Sequence, residues 1–306
     1  MITFAAFLGA LELGMVYSIL ALGVFLSFRT LNTPDLTVDG SIVTGAAASA
    51  IICSQGGNPF LALILSFILG ALAGVVTALL NTKLKIQPLL AGILVMLGIY
   101  SINLRIMGNK SNIALTKSDT IYKMAKGLFP SGYSSLIVGV IILGIVSTML
   151  FFFLKTRLGF ALRATGDNED MVRASGINSD NMKIMGLSLS NGLVGLAGGM
   201  LAQYQSYADI GMGVGMVVIG LASVIIGEAV FGSKSLFKRL LAVAMGAVLY
   251  RLIISIALNL GMPANDLKLV SAIIVTLALA LGNMGESFSL NGLGKLKSRL
   301  QQKAGE

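Results

Sequence analysis

The chain has 306 residues, 56% of them hydrophobic and 11% charged, with a formal net charge of +9. A soluble domain carries about a quarter charged residues, so this composition excludes one water-soluble core, and apolar blocks such as 60–80 and 136–154 are long enough to read as membrane-spanning helices. A single cysteine, Cys53, excludes an intramolecular disulfide, and the lack of histidine disfavours a zinc site.

Nine apolar segments follow one another at 3–28, 39–54, 59–81, 88–107, 135–154, 183–206, 214–231, 238–260 and 266–284. Open strands leave backbone groups unsatisfied in lipid, so the chain is predicted to be an all-α polytopic membrane helix bundle. Residues 1–284 are expected to form one transmembrane domain and 285–306 a basic tail. The basic residues lie in short loops, where they set topology, and nucleic acid is not an expected partner. Alternate loops hold Arg29, Lys83, Lys85, Lys155, Arg157, Arg163, Arg173, Lys183, Lys234, Lys238 and Arg239, and the tail adds Lys295, Lys297, Arg299 and Lys303. The opposite loops hold mainly Arg105, Lys110, Lys117, Lys123 and Lys126. The positive-inside rule then puts the N-terminus outside and the C-terminus inside. The first basic residue is Arg29, so the charged start of a cleaved signal peptide is missing, and the first segment is expected to be retained.

The first segment carries Glu12. After it, Pro34, Asp35, Thr37 and Asp39 interrupt the apolar pattern. Two readings stand: a break in a helix that lines a water-filled path, or a cytoplasmic turn with Asp39 capping the next helix. Gly70/Gly74, Gly195/Gly199 and Gly211/Gly215, with Ala10/Gly14 as a looser version, are spaced for close helix packing. The external loop 108–134 is expected to hold a short surface helix. In the internal loop 155–182, Asp167 or Asn168 can cap a helix, Glu169 and Asp170 suit its first turn, Arg173 its last, and Gly176 its stop. That predicts a short amphipathic helix and a docking point for something soluble.

Asn191, Gln203 and Tyr204 are polar positions of the sixth segment. With Asp35, Thr37 and Asp39 they are candidates to line a path, against plain helix-to-helix hydrogen bonding. Glu228 sits near the inner end of the seventh segment, as an inner contact or snorkelling to the interface. Glu12 and Arg251 both lie near ~13 Å depth, which predicts an ion pair. Asn265 or Asp266 can cap the ninth segment.

The stretch LRATGDNEDMVRASGIN (162–178) resembles the coupling-helix segment of ABC importer permeases of the branched-chain amino acid and ribose superfamily. ALELGMVYSILALGVFLSFRTLNTPDLTVDGS (10–41) is similar to that superfamily's N-terminal signature, and SNGLVGLAGGMLAQYQ (190–205) to its segment after the coupling loop. IGMGVGMVVIGLASVIIGEAVFG (210–232) and LYRLIISIALNLGMPANDLKLVSA (249–272) resemble the subgroup linked to tryptophan or tyrosine uptake. The resemblance implies a permease of the bacterial cytoplasmic membrane, paired with a second copy, two ATP-binding subunits below and an external substrate-binding protein above. It implies ATPase coupling through Asp167, Asn168, Glu169, Asp170, Arg173 and Gly176. The chain holds no Gly-x-x-x-x-Gly-Lys-Ser/Thr phosphate loop, so ATP and magnesium are expected on the partner, with no cofactor or metal here. The competing readings are a secondary transporter driven by an ion gradient and a membrane scaffold or receptor; paired midplane carboxylates and inverted repeats, which the former would want, are not evident.

Overall fold

A computed structural model of the chain describes residues 4–127, 132–232, 235–263, 266, 269–273 and 276. Its long helices are α1 (Phe4–Val24), α2 (Thr37–Ser54), α3 (Pro59–Thr82) and α4 (Pro88–Ile106). The short strand β1 (Asn112–Ala114) and helix α5 (Ile121–Lys126) follow, then α6 (Ser134–Lys155), α7 (Arg157–Asp167), α8 (Glu169–Ala174) and α9 (Ser179–Gln205). Strand β2 (Tyr207–Asp209), α10 (Met216–Phe231) and α11 (Leu236–Asn259) complete the order.

Local chemistry starts these elements. Side-chain oxygens of Asn58, Thr120, Thr156, Asn168, Asn178 and Ser235 accept N–H groups at the first turns of α3, α5, α7, α8, α9 and α11. Pro59 and Pro88 stand at first helical positions, where no N–H is needed. A π-helical stretch, Phe25–Thr30, carries α1 to its end.

Among the described residues, seven helices are long and apolar enough to cross a membrane: Phe4–Thr30, Thr37–Ser54, Pro59–Thr82, Pro88–Ile106, Ser134–Lys155, Ser179–Gln205 and Leu236–Asn259. They correspond to seven of the nine expected segments. The expected span 214–231 is instead the 16-residue α10. At ~1.5 Å per residue it reaches about 24 Å, short of a hydrocarbon core of roughly 30 Å. The stretch 210–215 before it is a turn, so Gly211 and Gly215 are not a helix-face pair; Gly215 adopts φ +86. The ninth segment, 266–284, lies outside the described residues except for short pieces, and the basic tail lies wholly outside them.

Helices α1, α2 and α9 occupy the interior, whereas α3, α4 and α6 turn Leu72, Leu94, Ile145 and Met149 outward. Lipid supplies no hydrophobic force between helices, so close packing must hold them. The α3–α9 contact shows how: a Cβ added at Gly70 would meet Gly195 Cα at 3.0 Å, and one at Gly195 would meet Gly70 Cα at the same distance. A side chain at position 45 of α2 would run into the Gly195 backbone. Three glycines, Gly45, Gly70 and Gly195, therefore let α2 and α3 both reach α9.

The loop 108–134 contains the expected short helix as α5, and also β1. That strand pairs antiparallel with β2 in the register Asn112↔Asp209, Ile113↔Ala208 and Ala114↔Tyr207. The loop 155–182 contains two helices, α7 and α8, rather than one. The bundle thus has a sheet end, with β1, β2 and α5, and an opposite end, with α7 and α8.

Candidate functional site

At the α7/α8 end, Asn168 caps α8 by accepting the Met171 N–H at 3.0 Å, while Asp167 closes α7 and is exposed. Lys183 Nζ donates to Glu169 Oε2 at 2.6 Å. Arg173 Nη2 reaches Glu169 Oε1 at 2.7 Å and Asp180 Oδ1 at 3.2 Å, and its Nε donates to Ser179 at 2.7 Å. The hydrogen bond from Lys183 holds the Glu169 carboxyl below its ordinary range, against some burial, with Ser179 and Arg173 assisting. Lys183, Ser179 and Asp180 belong to α9, so α8 is clamped to the start of that helix. Gly176 makes the turn between them at φ +80. Asp170, Met171 and Ile177 remain exposed. Helix α7 lies so close to the end of α1 that a side chain at position 166 would strike the Thr30 carbonyl.

Glu228 at the same end bridges two basic groups, Arg29 Nε at 3.1 Å and Arg239 Nε at 3.7 Å. It therefore ties together α1, α10 and α11.

The interrupted stretch 31–36 is a helix break inside the bundle. Asp35 is fully buried. Its Oδ1 accepts the Thr37 N–H at 2.8 Å, and its Oδ2 accepts from Asn191 Nδ2 at 2.6 Å. Asn191 Oδ1 in turn accepts from Ser41 at 2.7 Å, and the Thr37 and Thr77 hydroxyls share a 2.7 Å hydrogen bond. Asp39 is the third residue of α2 and caps a different helix. Its oxygens accept the N–H groups of Gly215 at 3.0 Å and Val217 at 2.8 Å, at the start of α10. The reading of Asp39 as a cap for α2 is thus corrected: Asp35 meets the α2 terminus, and Asp39 meets α10. These side chains are packed against protein, with their polar atoms engaged between helices.

At the sheet end, Gln203 joins three elements. Its Oε1 accepts the Ile121 N–H at 2.9 Å, and its Nε2 donates to Ser49 at 3.0 Å and to the Pro59 carbonyl at 3.1 Å. Lys123 Nζ gathers the carbonyls of Leu115, Thr116 and Ser118 at 3.2, 2.7 and 2.7 Å. The Tyr204 hydroxyl donates to Glu12 Oε2 at 2.8 Å, and its ring meets Tyr122 edge-on at 5.4 Å. The expected Glu12–Arg251 ion pair does not form within 4.0 Å. Arg251 lies over the Tyr17 ring instead, 3.6 Å from its centroid. The two backbones stand at one level, but the arginine side chain places its charge over the Tyr17 ring. Tyr17, Tyr122, Ser41 and Thr77 carried no sequence signal, because each matters only through a partner far along the chain. Among the described residues, no group of three His, Cys, Asp or Glu side chains is placed to hold a metal ion.

The profile of the family described as "Branched-chain amino acid transport system / permease component" matches residues 6–280. The chain is 40% identical to a tyrosine transport system permease protein of Clostridioides difficile, over 94% of this chain and 95% of that one. It is 29% identical to the ribose import permease protein of Escherichia coli K12, over 88% and 82% of the two chains. A solved structure described as an inward-facing metal-chelate type ABC transporter shares the fold, with a TM-score of 0.52 at 17% identity, covering 91% of this chain and 85% of that one.

Proposed function

The chain belongs to the family of permease components of branched-chain amino acid transport systems, and on that footing we propose that it carries an amino acid, with an aromatic side chain favoured, inward on ATP hydrolysed by a separate subunit. It is a membrane-spanning permease subunit of an ABC transporter of the bacterial cytoplasmic membrane, a transport component rather than a catalytic one. Two copies form the pathway. ATP and magnesium sit on two soluble subunits docked at the α7/α8 end, and a binding protein delivers substrate to the sheet end. The loop charges orient the first of these ends to the cytoplasm, with the N-terminus outside.

The observation that carries this reading is the clamp between α8 and α9. A helix of six residues has little stability of its own. Its hold on Lys183 and Ser179 makes it an extension of α9, whose 27 residues run ~40 Å to the sheet end. A displacement imposed on Met171 and Ile177 is therefore delivered along α9 to Asn191, and so to the break at Asp35. Through Gly166 and Thr30, α7 delivers the same displacement to α1. The two helices that hold the α1–α2 break move together.

The aromatic preference rests on the tyrosine permease relative. Its test is the ligand of the partner binding protein, purified from cells and identified by mass spectrometry, with affinity measured by calorimetry. Tyrosine or tryptophan bound in the micromolar range or tighter is expected. A sugar or a branched-chain amino acid bound instead would contradict it.

A further inference from the structure

We infer that Arg251 and Glu12 form a station for the zwitterionic head of an amino acid within the membrane, the guanidinium taking the carboxylate and Glu12 the ammonium group. This rests on the amino-acid reading above and adds where the substrate is held.

Val248 of α11 packs on Gly14 of α1, and the Ser18 hydroxyl donates to the Ala244 carbonyl at 2.9 Å. The two helices are antiparallel, so the Arg251 backbone stands near the level of Leu11. From there its guanidinium lies over the face of the Tyr17 ring, 3.6 Å from the centroid. An ionisable group inside a membrane-spanning helix marks a pathway by default.

Stacking on Tyr17 satisfies only the face of the guanidinium. Its N–H donors lie in its plane and need acceptors of their own. Arg251 Nε is buried without one, and no hydrogen bond or ion pair is made by Arg251 among the described residues. A carboxylate is the group whose geometry fits that edge in a two-point fork.

The complementary half is on α1, where Glu12 follows Leu11 at the level of the Arg251 backbone. Glu12 uses Oε2 for Tyr204, and Oε1 takes no donor among the described residues. Glu12 and Arg251 both lie close enough to act electrostatically on the Tyr204 hydroxyl. The Tyr122 hydroxyl, on a residue 6% exposed, is also buried without a partner next to Tyr204. An unpaired cation and a half-used carboxylate at one level of two packed helices match the two ends of an amino acid.

The test uses the single native cysteine to advantage, since Cys53 is buried. In a Cys53→Ala background, Arg251→Cys is assembled with the ATP-binding subunits and binding protein in proteoliposomes. Initial amino-acid uptake is expected to fall at least tenfold. Ethylammonium methanethiosulfonate, which restores a positive charge, is expected to recover uptake several-fold, whereas the ethylsulfonate reagent is not. Saturating amino acid should slow the modification. Unchanged uptake in Arg251→Cys, equal effects of the two reagents, or no protection by amino acid would overturn the inference. Should that variant fail to assemble, Arg251→Lys carries the test, because it keeps the charge and loses the fork: uptake falls several-fold, and unchanged uptake overturns the inference. If the unsubstituted complex takes up no amino acid, the reading under Proposed function fails instead.

Discussion

Asn191 donates to Asp35 Oδ2 at 2.6 Å while its own Oδ1 accepts from Ser41 at 2.7 Å, so one side chain of α9 holds the entry to α2 on two sides. This joins the middle of the longest helix to the break at 31–36. The clamp on α8 and the hold on the break are therefore two points on one rigid element.

Replacing Asn191 by Ala leaves a buried carboxyl short of a donor. The loss is expected to be about 2 kcal/mol. Thermal unfolding in detergent should fall by several degrees, and Asn191→Asp, which sets a second carboxyl beside Asp35, should fall further.

Asp39 makes an analogous junction with α10. Asp39→Ala removes both acceptors from the start of that helix, at about 1–2 kcal/mol. Asp39→Asn keeps one side-chain acceptor and should cost less. Hydrogen exchange at Val217 reads the effect directly, because its N–H is released in the first variant.

Close helix approach gives a paired prediction. Gly45→Ala sets a methyl group into the Gly195 backbone, and overpacking of this kind costs about 1–3 kcal/mol or more. Gly98→Ala meets nothing within 4 Å and should leave the melting temperature unchanged or slightly raised. Equal behaviour of the two variants in a thermal melt would contradict the packing described.

Much of this arrangement was legible in the residues. Long apolar blocks marked the crossing helices, and the Asn168, Glu169, Arg173 and Gly176 pattern marked α8 with its cap and stop. The break near Pro34 was also visible, because Asp35 and Asp39 interrupt an apolar run. What stayed hidden depends on distant partners. Asp39 carries the signal of a cap, but the N–H groups it caps lie 176 and 178 positions away. Helix α10 is as apolar as a full span, so its short reach could not be told from composition. Arg251 and Glu12 stand at one level of α11 and α1, yet nothing local says which way the arginine side chain turns.

The α8 clamp has a pH signature. The Glu169 carboxyl lies below its ordinary value of 4.5, so the clamp's contribution is fully present above that value. It is lost only as the pH falls through the still lower folded-state value. Hydrogen exchange of α8 should therefore stay protected down to about pH 4.5 and rise below it. Glu169→Gln should expose α8 at every pH and raise the ATP hydrolysed per amino acid transported by several-fold.

The central claim is that this permease moves an amino acid inward on ATP supplied by partner subunits. Purified permease, ATP-binding subunits and tyrosine-loaded binding protein in sealed proteoliposomes test it most directly. Accumulation of labelled tyrosine that requires ATP and survives collapse of proton and sodium gradients is the result expected here. Uptake by the permease alone, driven by either gradient without ATP, would contradict it.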